Sequence, residues 1–173
     1  ERIEKRFKDL KKAERAGLVT FITAGDPNIE LSTQILQKLP GSGADIIELG
    51  MPFSDPMADG PAIQASSLRS LKNGSSILTT IEMVRRFRQG DKKTPVILMG
   101  YFNPIYSYGI EKFITDAAES GVDGLLIVDL PPEEPEMREP VKKAGLSLIY
   151  LIAPTTDYKR LPIITKHASG FIY

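Results

Sequence analysis

Three carboxylates fall within the stretch "ELGMPFSDPMADGP" (48–61): Glu48, Asp55 and Asp59. Glu48 closes the apolar run "ADIIELG", which reads as a buried strand. Side chains alternate along a strand, so Ile46 and Glu48 share one face and Ile47 and Leu49 the other. A carboxylate on an apolar face costs free energy unless it is paired or used. Burial raises its pKa towards neutrality, which suits a group that both gives and takes a proton. The competing reading is an ion pair with a neighbouring strand or loop, since such networks also place carboxylates inside. Asp59 stands in an Asp-Gly-Pro turn, which is ordinary loop chemistry. On a loop over a strand end it could also accept a hydrogen bond from a substrate N–H. Asp55, between Ser54 and Pro56, reads as a turn cap.

The elements that must hold these groups are read from periodicity. "ERIEKRFKDLKKAERAG" has Ile3, Phe7, Leu10 and Ala13 at helical spacing and predicts an amphipathic helix stopped by Gly17. Strands are predicted at 18–24, 44–50, 94–100, 122–130, 146–153 and 171–173. Between them lie helical stretches. One begins after Asn28, a candidate N-cap, with Ile29, Ile35, Leu36 and Leu39 as its apolar stripe. A second covers 62–89 with a break at "NGSS" (73–76), and a third covers 110–121. "PEEPEMREPVKKAG" reads as a helix in which Pro135 fits the first turn and Pro140 kinks or breaks the turns beyond it. "TDYKRLPIITKHASG" reads as a helix with Thr156 as its cap. Each strand-to-strand link is long enough for a crossover, so the sheet is expected to be parallel. An open doubly wound sheet and part of a (β/α)₈ barrel both fit. No Gly-x-Gly-x-x-Gly or Walker pattern comes after a strand, which favours the barrel. A complete barrel typically takes about 250 residues. The 173 residues here supply six strands, so the sequence is expected to be the first part of a longer chain forming one barrel domain.

In such folds chemistry collects at the carboxyl ends of the strands. Those ends carry Gly25 and Asp26, then Glu48 with Asp55 and Asp59, Tyr101 and Asn103, Asp129, Thr155 and Thr156, and Tyr173. None carries a Lys, which argues against a Schiff-base aldolase. Cys is absent, excluding disulfides, zinc–thiolate sites and Cys nucleophiles. A single His, His167 near a helix end, leaves no His metal triad and argues against a Ser–His pair. Lys+Arg and Asp+Glu each number 22, so no basic excess points to nucleic acid or an anionic membrane. No apolar run nears the roughly 18 residues of a membrane span. The N-terminal segment lacks the apolar core of a signal peptide, so a cytoplasmic location is expected, or a plastid one in a plant. Tyr101, Phe102, Tyr106 and Tyr108 form an aromatic patch, readable as core, pocket lining or partner surface.

Taken together, "FITAGDP", "GADIIELGMPFSDPMADGPAIQ", "MGYFNPIYSYG", "GVDGLLIVDLPPEE" and "GFIY" resemble the tryptophan synthase α-subunit family along the whole chain. The stretch at 48–61 is the most specific of these; the others support it. The resemblance implies a (β/α)₈ barrel that cleaves indole-3-glycerol phosphate to indole and glyceraldehyde 3-phosphate, without cofactor or metal. It implies Glu48 as the acid–base residue, Asp59 as the carboxylate beside the indole N–H, and Phe21, Tyr101, Leu126, Ile152 and Tyr173 as substrate-binding positions. It also implies a β-subunit partner in an α2β2 complex, faced by Asp55, Pro56, Asn103 and Pro131. The phosphate is expected on loops after strands 7 and 8, outside this sequence. Two alternatives stand beside the lyase: another sugar-phosphate barrel isomerase, and a non-catalytic subunit that binds and activates a partner.

Overall fold

The computed structural model describes residues 2–173. Five strands run parallel in the order in which they occur in the chain: β1 (Val19–Thr23), β2 (Ile46–Gly50), β3 (Val96–Gly100), β4 (Gly124–Ile127) and β5 (Ser147–Ile149). This order has no reversal, so there is no switch point of the doubly wound kind. All crossover helices then cover one face and leave the other as an interior, which is barrel winding. The described residues form part of a (β/α)₈ barrel. The expected sixth strand is a single parallel bridge, Tyr150 to Ile172, with the Ile152 N–H donating to the Tyr173 carbonyl at 2.8 Å.

The two faces bury different sets of residues. Ile47, Leu49, Leu98, Leu125 and Leu148 face outward against the helices, meeting Leu36, Val84, Phe87, Phe113 and Ala117. Ile46, Ile97, Leu126 and Ile149 pack inward with Ile3. Ile3 comes from α1 (Arg2–Lys12), which lies against the amino-terminal ends of the strands. Ile3 and Leu10 are buried, while Phe7 stays partly exposed with its ring 5.8 Å from Phe171. α1 ends before the expected stop at Gly17. The Arg15 N–H reaches back to the Leu10 carbonyl and Glu14 takes a left-handed φ of 50°, which closes the helix one turn early.

Further crossovers are α2 (Ile29–Lys38), α3 (Pro61–Lys72), α4 (Ile77–Gly90) and α5 (Phe102–Tyr108). After them come α6 (Ile110–Ser120), α7 (Arg138–Lys143) and α8 (Leu161–His167). Asn28 caps α2, its side-chain oxygen accepting from the Leu31 N–H at 2.9 Å. In the α2 stripe Leu36 is fully buried, but Ile35 lies at the edge and is 37% exposed. The break at 73–76 is present: Ser76 and Thr79 form a reciprocal capping box that starts α4.

Besides α1, three helices differ from expectation. α5 has no counterpart in the periodicity, because its seven residues are aromatic and polar with no sustained apolar stripe. "PEEPEMREPVKKAG" forms turns up to Met137 and becomes helical only at Arg138. Pro140 therefore sits in the first turn of α7, where no intrahelical donor is required, and breaks nothing. α8 starts at Leu161 because Pro162 fits only a first turn; Thr156 instead accepts from the Ala153 N–H at 2.8 Å.

Candidate active site

Parallel register places Phe21, Glu48 and Ile97 side by side in one interior layer. The next layer, one step towards the carboxyl ends, holds Thr23, Gly50, Met99 and Leu126. Above it a cleft opens at the carboxyl ends of the strands, lined by Phe21, Thr23, Gly50, Phe53, Asp59, Met99 and Tyr101 among others. Glu48 lies beneath the floor of this cleft, two residues or roughly 6.6 Å down the strand from Gly50. It is 3% exposed, and its Oε1 is buried without a hydrogen-bond partner. No cation among the described residues balances it, so the structural ion pair that the sequence left open is not formed. Loss of solvation by burial pushes its pKa up to about 7. Among the described residues no group of His, Asp and Glu could hold a metal ion.

Glycine at position 50 is required by close approach. A Cβ there would meet the Phe21 ring at 2.6 Å from Cζ and 2.8 Å from Cε2. The ring packs directly against Gly50 at the base of the cleft. We expect Gly50→Ala to force the ring aside and cost about 1–3 kcal/mol in stability. Urea unfolding checks this, and a wild-type midpoint would refute the close approach.

Asp59 is carried by the loop between β2 and α3. Gly60 takes the cap position of α3 and Pro61 its first turn, so the carboxylate sits next to a helix amino terminus, where negative charge is favoured. The loop turns on itself through Asp59 N–H to the Pro56 carbonyl (3.0 Å), and Gln64 Nε2 donates to the Asp59 carbonyl at 2.8 Å. Tyr101 fixes the loop from the far side. Its hydroxyl accepts from the Ala58 N–H at 3.0 Å and donates to Asp59 Oδ2 at 3.1 Å. The ring is buried and packs 5.4 Å from Phe53. Burial chiefly, with the Asp59 carboxylate adding to it and the Ala58 N–H opposing, pushes the Tyr101 phenol up to about 12. It therefore stays a donor across the physiological range.

The remaining predicted positions are dispersed. Leu126 is fully buried in the layer of Thr23, Gly50 and Met99, below the cleft surface. Ile152 and Tyr173 are adjacent through their backbones beyond β5, and their side chains are 43% and 50% exposed. Asp55, Asn103 and Pro131 are exposed and Pro56 is half-buried, all on the loops at the carboxyl ends. The cleft also uses Thr23, Phe53 and Met99, which strand-end residues alone do not pick out. Alternation from Glu48 points to Gly50, and register points to its neighbours Thr23 and Met99. No local signal marks Phe53, which is brought in by the fold of the loop.

The family model for the tryptophan synthase alpha chain matches residues 7–173. The chain belongs to the tryptophan synthase α-chain family. Tryptophan synthase subunit alpha from Legionella pneumophila is 47% identical, with a TM-score of 0.96 over 99% of this chain. The tryptophan synthase complex from Pyrococcus furiosus contains a chain 42% identical over 91%, with a TM-score of 0.86. Tryptophan synthase from M. tuberculosis is 31% identical over 99%, with a TM-score of 0.95. This α-chain sequence spans 66% of the Legionella chain, 64% of the Pyrococcus chain and 69% of the M. tuberculosis chain.

Proposed function

We propose that this α chain carries the acid–base centre of a carbon–carbon lyase that cleaves indole-3-glycerol phosphate to indole and glyceraldehyde 3-phosphate. The observation that carries the reading is Glu48: a carboxyl buried without a partner, with a pKa near 7, under a cleft that presents a second carboxylate. Cleavage of the bond from indole C3 to the glycerol chain first needs a proton on C3. The protonated Glu48 gives it, leaving positive charge at the ring nitrogen. The Glu48 carboxylate then takes the proton of the hydroxyl on the adjacent carbon, and that O–H pair becomes the aldehyde C=O. The C–C bonding pair returns to the ring and restores indole. Asp59 accepts the indole N–H and stabilises the charge that develops there. Phe21 and Phe53 offer flat apolar faces to the indole. No step requires a cofactor or metal.

Asp59→Asn keeps the shape of the loop but removes its negative charge. Its kcat for indole release is expected to fall by about 10²-fold with the fold unchanged. Near-normal turnover with an intact circular-dichroism spectrum would falsify the role of Asp59.

The exposed Asp55, Asn103 and Pro131 fit a surface for a tryptophan synthase β subunit in an α2β2 assembly. Phe102, Tyr106 and Glu134 line a groove on the same side as Asn103 and Pro131. A cytoplasmic setting is part of this proposal. Among the described residues no helix is long and apolar enough to cross a membrane.

A further inference from the structure

The groove beside Asn103 contains one carboxylate with a specific backbone partner. Asp129, just past β4, accepts from the Phe102 N–H at 2.8 Å. Phe102 is the first residue of α5, and its N–H is one of the donors that a helix leaves without an internal partner. Tyr101 occupies the cap position but makes no side-chain cap bond, so the cap is supplied by another strand. Asp129 is brought there because the Val128 N–H donates to the Gly100 carbonyl at 2.9 Å, which extends the pairing of β4 with β3. The residue capped in this way adjoins Tyr101, whose hydroxyl holds both Ala58 and Asp59 of the β2–α3 loop.

We infer that Asp129 is a positioning residue that sets Asp59 over the cleft, acting through the Phe102 N–H, the Tyr101 backbone and the Tyr101 hydroxyl. The kinetic part of this inference rests on the lyase reading; the structural linkage does not. The linkage begins on a surface groove shared by Asn103, Tyr106 and Pro131 and ends on the carboxylate inside the cleft. A protein seated on that groove would bear on Asp129 directly, a route to Asp59 separate from any contact with Asp55 on the loop that carries it. Tyr101 alone would hold Asp59 loosely, because the first turn of α5 would lack its cap.

The test uses Asp129→Ala, Asp129→Asn and Tyr101→Phe, with two measurements on each protein. Amide hydrogen exchange is measured at Ala58 and Phe102, and kcat and KM are measured for indole release. Asp129→Ala is expected to speed exchange at both amides by about tenfold, the usual scale of a lost cap. It should lower kcat about tenfold, with a smaller change in KM. Asp129→Asn keeps a side-chain oxygen acceptor and should recover most of both. Tyr101→Phe should free Ala58 while Phe102 stays protected. The proposal is overturned if Asp129→Ala frees Phe102 but leaves Ala58 exchange and kcat at their original values. It is equally overturned if all amides speed up together, which would mark a general loss of stability. The kinetic arm uses the full-length chain that carries the phosphate loops: if that unsubstituted chain releases no indole while Asp129→Ala still frees Ala58, the lyase reading fails and the linkage stands.

Discussion

Glu48→Gln is expected to lower indole release by about 10³-fold or more, because in the proposed mechanism one side chain serves as acid and then as base. The same substitution is expected to stabilise the folded protein above neutral pH. The Glu48 carboxyl has an ordinary value of 4.5 and a folded value of about 7. Between these values the folded state holds a proton that the unfolded state has released. Stability contributed by the neutral carboxyl is therefore complete below about pH 4.5 and is lost as pH rises through 7. Above that, the charged, unpartnered group costs on the order of 3 kcal/mol. Gln is close in shape and never charges, so the mutant should gain up to that amount at pH 8 and nothing at pH 4.5. Urea unfolding at the two pH values, beside an indole-release assay, checks both halves. Equal stability differences at both pH values would show that the carboxyl is solvated, and the acid–base assignment would fall with it. In the unsubstituted protein, kcat/KM should decline above about pH 7 as the proton donor is lost.

The second large effect lies at the opposite end of the strands and concerns stability alone. Arg88, on α4, is 6% exposed. Its guanidinium donates to the Gly121 carbonyl at 2.8 Å, the Thr94 carbonyl at 2.7 Å and Asp123 Oδ2 at 2.7 Å. Asp123 also accepts from the Val96 N–H at 2.8 Å and from Arg2 at 2.8 Å. One buried side chain thus ties α4 to the end of α6 and to the starts of β3 and β4. Arg88→Ala would remove the donor from three carbonyls, those of Gly121, Thr94 and Asp91, and leave Asp123 with only Arg2 as a charged partner. We expect a loss of about 3–5 kcal/mol. Arg88→Lys should also be destabilising, because an ammonium cannot span these acceptors as the planar fork does. Chemical denaturation measures both. A loss under ~1 kcal/mol for Arg88→Ala would mean that water replaces the guanidinium and that the network is incidental. Gly121 belongs to the same arrangement: its φ is +93°, and a Cβ there would lie 2.9 Å from Arg88 Cγ.

The strand-by-strand alternation of the fold is legible because each strand is a nearly continuous apolar run between turn residues. Glu48 is the one charged residue within the five observed strands, whereas Asp45, Asp123 and Asp129 lie at the ends of the runs read from sequence and fall outside those strands. Where local and tertiary demands differ, the sequence misleads. Ile35 belongs to the apolar stripe of α2 yet lies at its edge, because Leu36 occupies the contact with the sheet. Pro140 reads as a helix breaker, but tertiary packing starts α7 late enough to place it in the first turn. α5 has no apolar period of its own, and its start is capped by Asp129, 27 residues further along the chain.

The residue types and their alternation determine by themselves a parallel α/β chain with a carboxylate on an interior strand face, since period-2 patterning needs only neighbouring residues. They leave open whether that carboxylate is paired. The tertiary structure decides this: among the described residues no cation reaches Glu48, Phe21 leans over Gly50, and Tyr101 holds Asp59. Each of these facts depends on residues far apart in the chain meeting in space, as Tyr101 meets Asp59 across 42 positions. Strand register and loop closure bring such residues together, and no local sequence pattern encodes either.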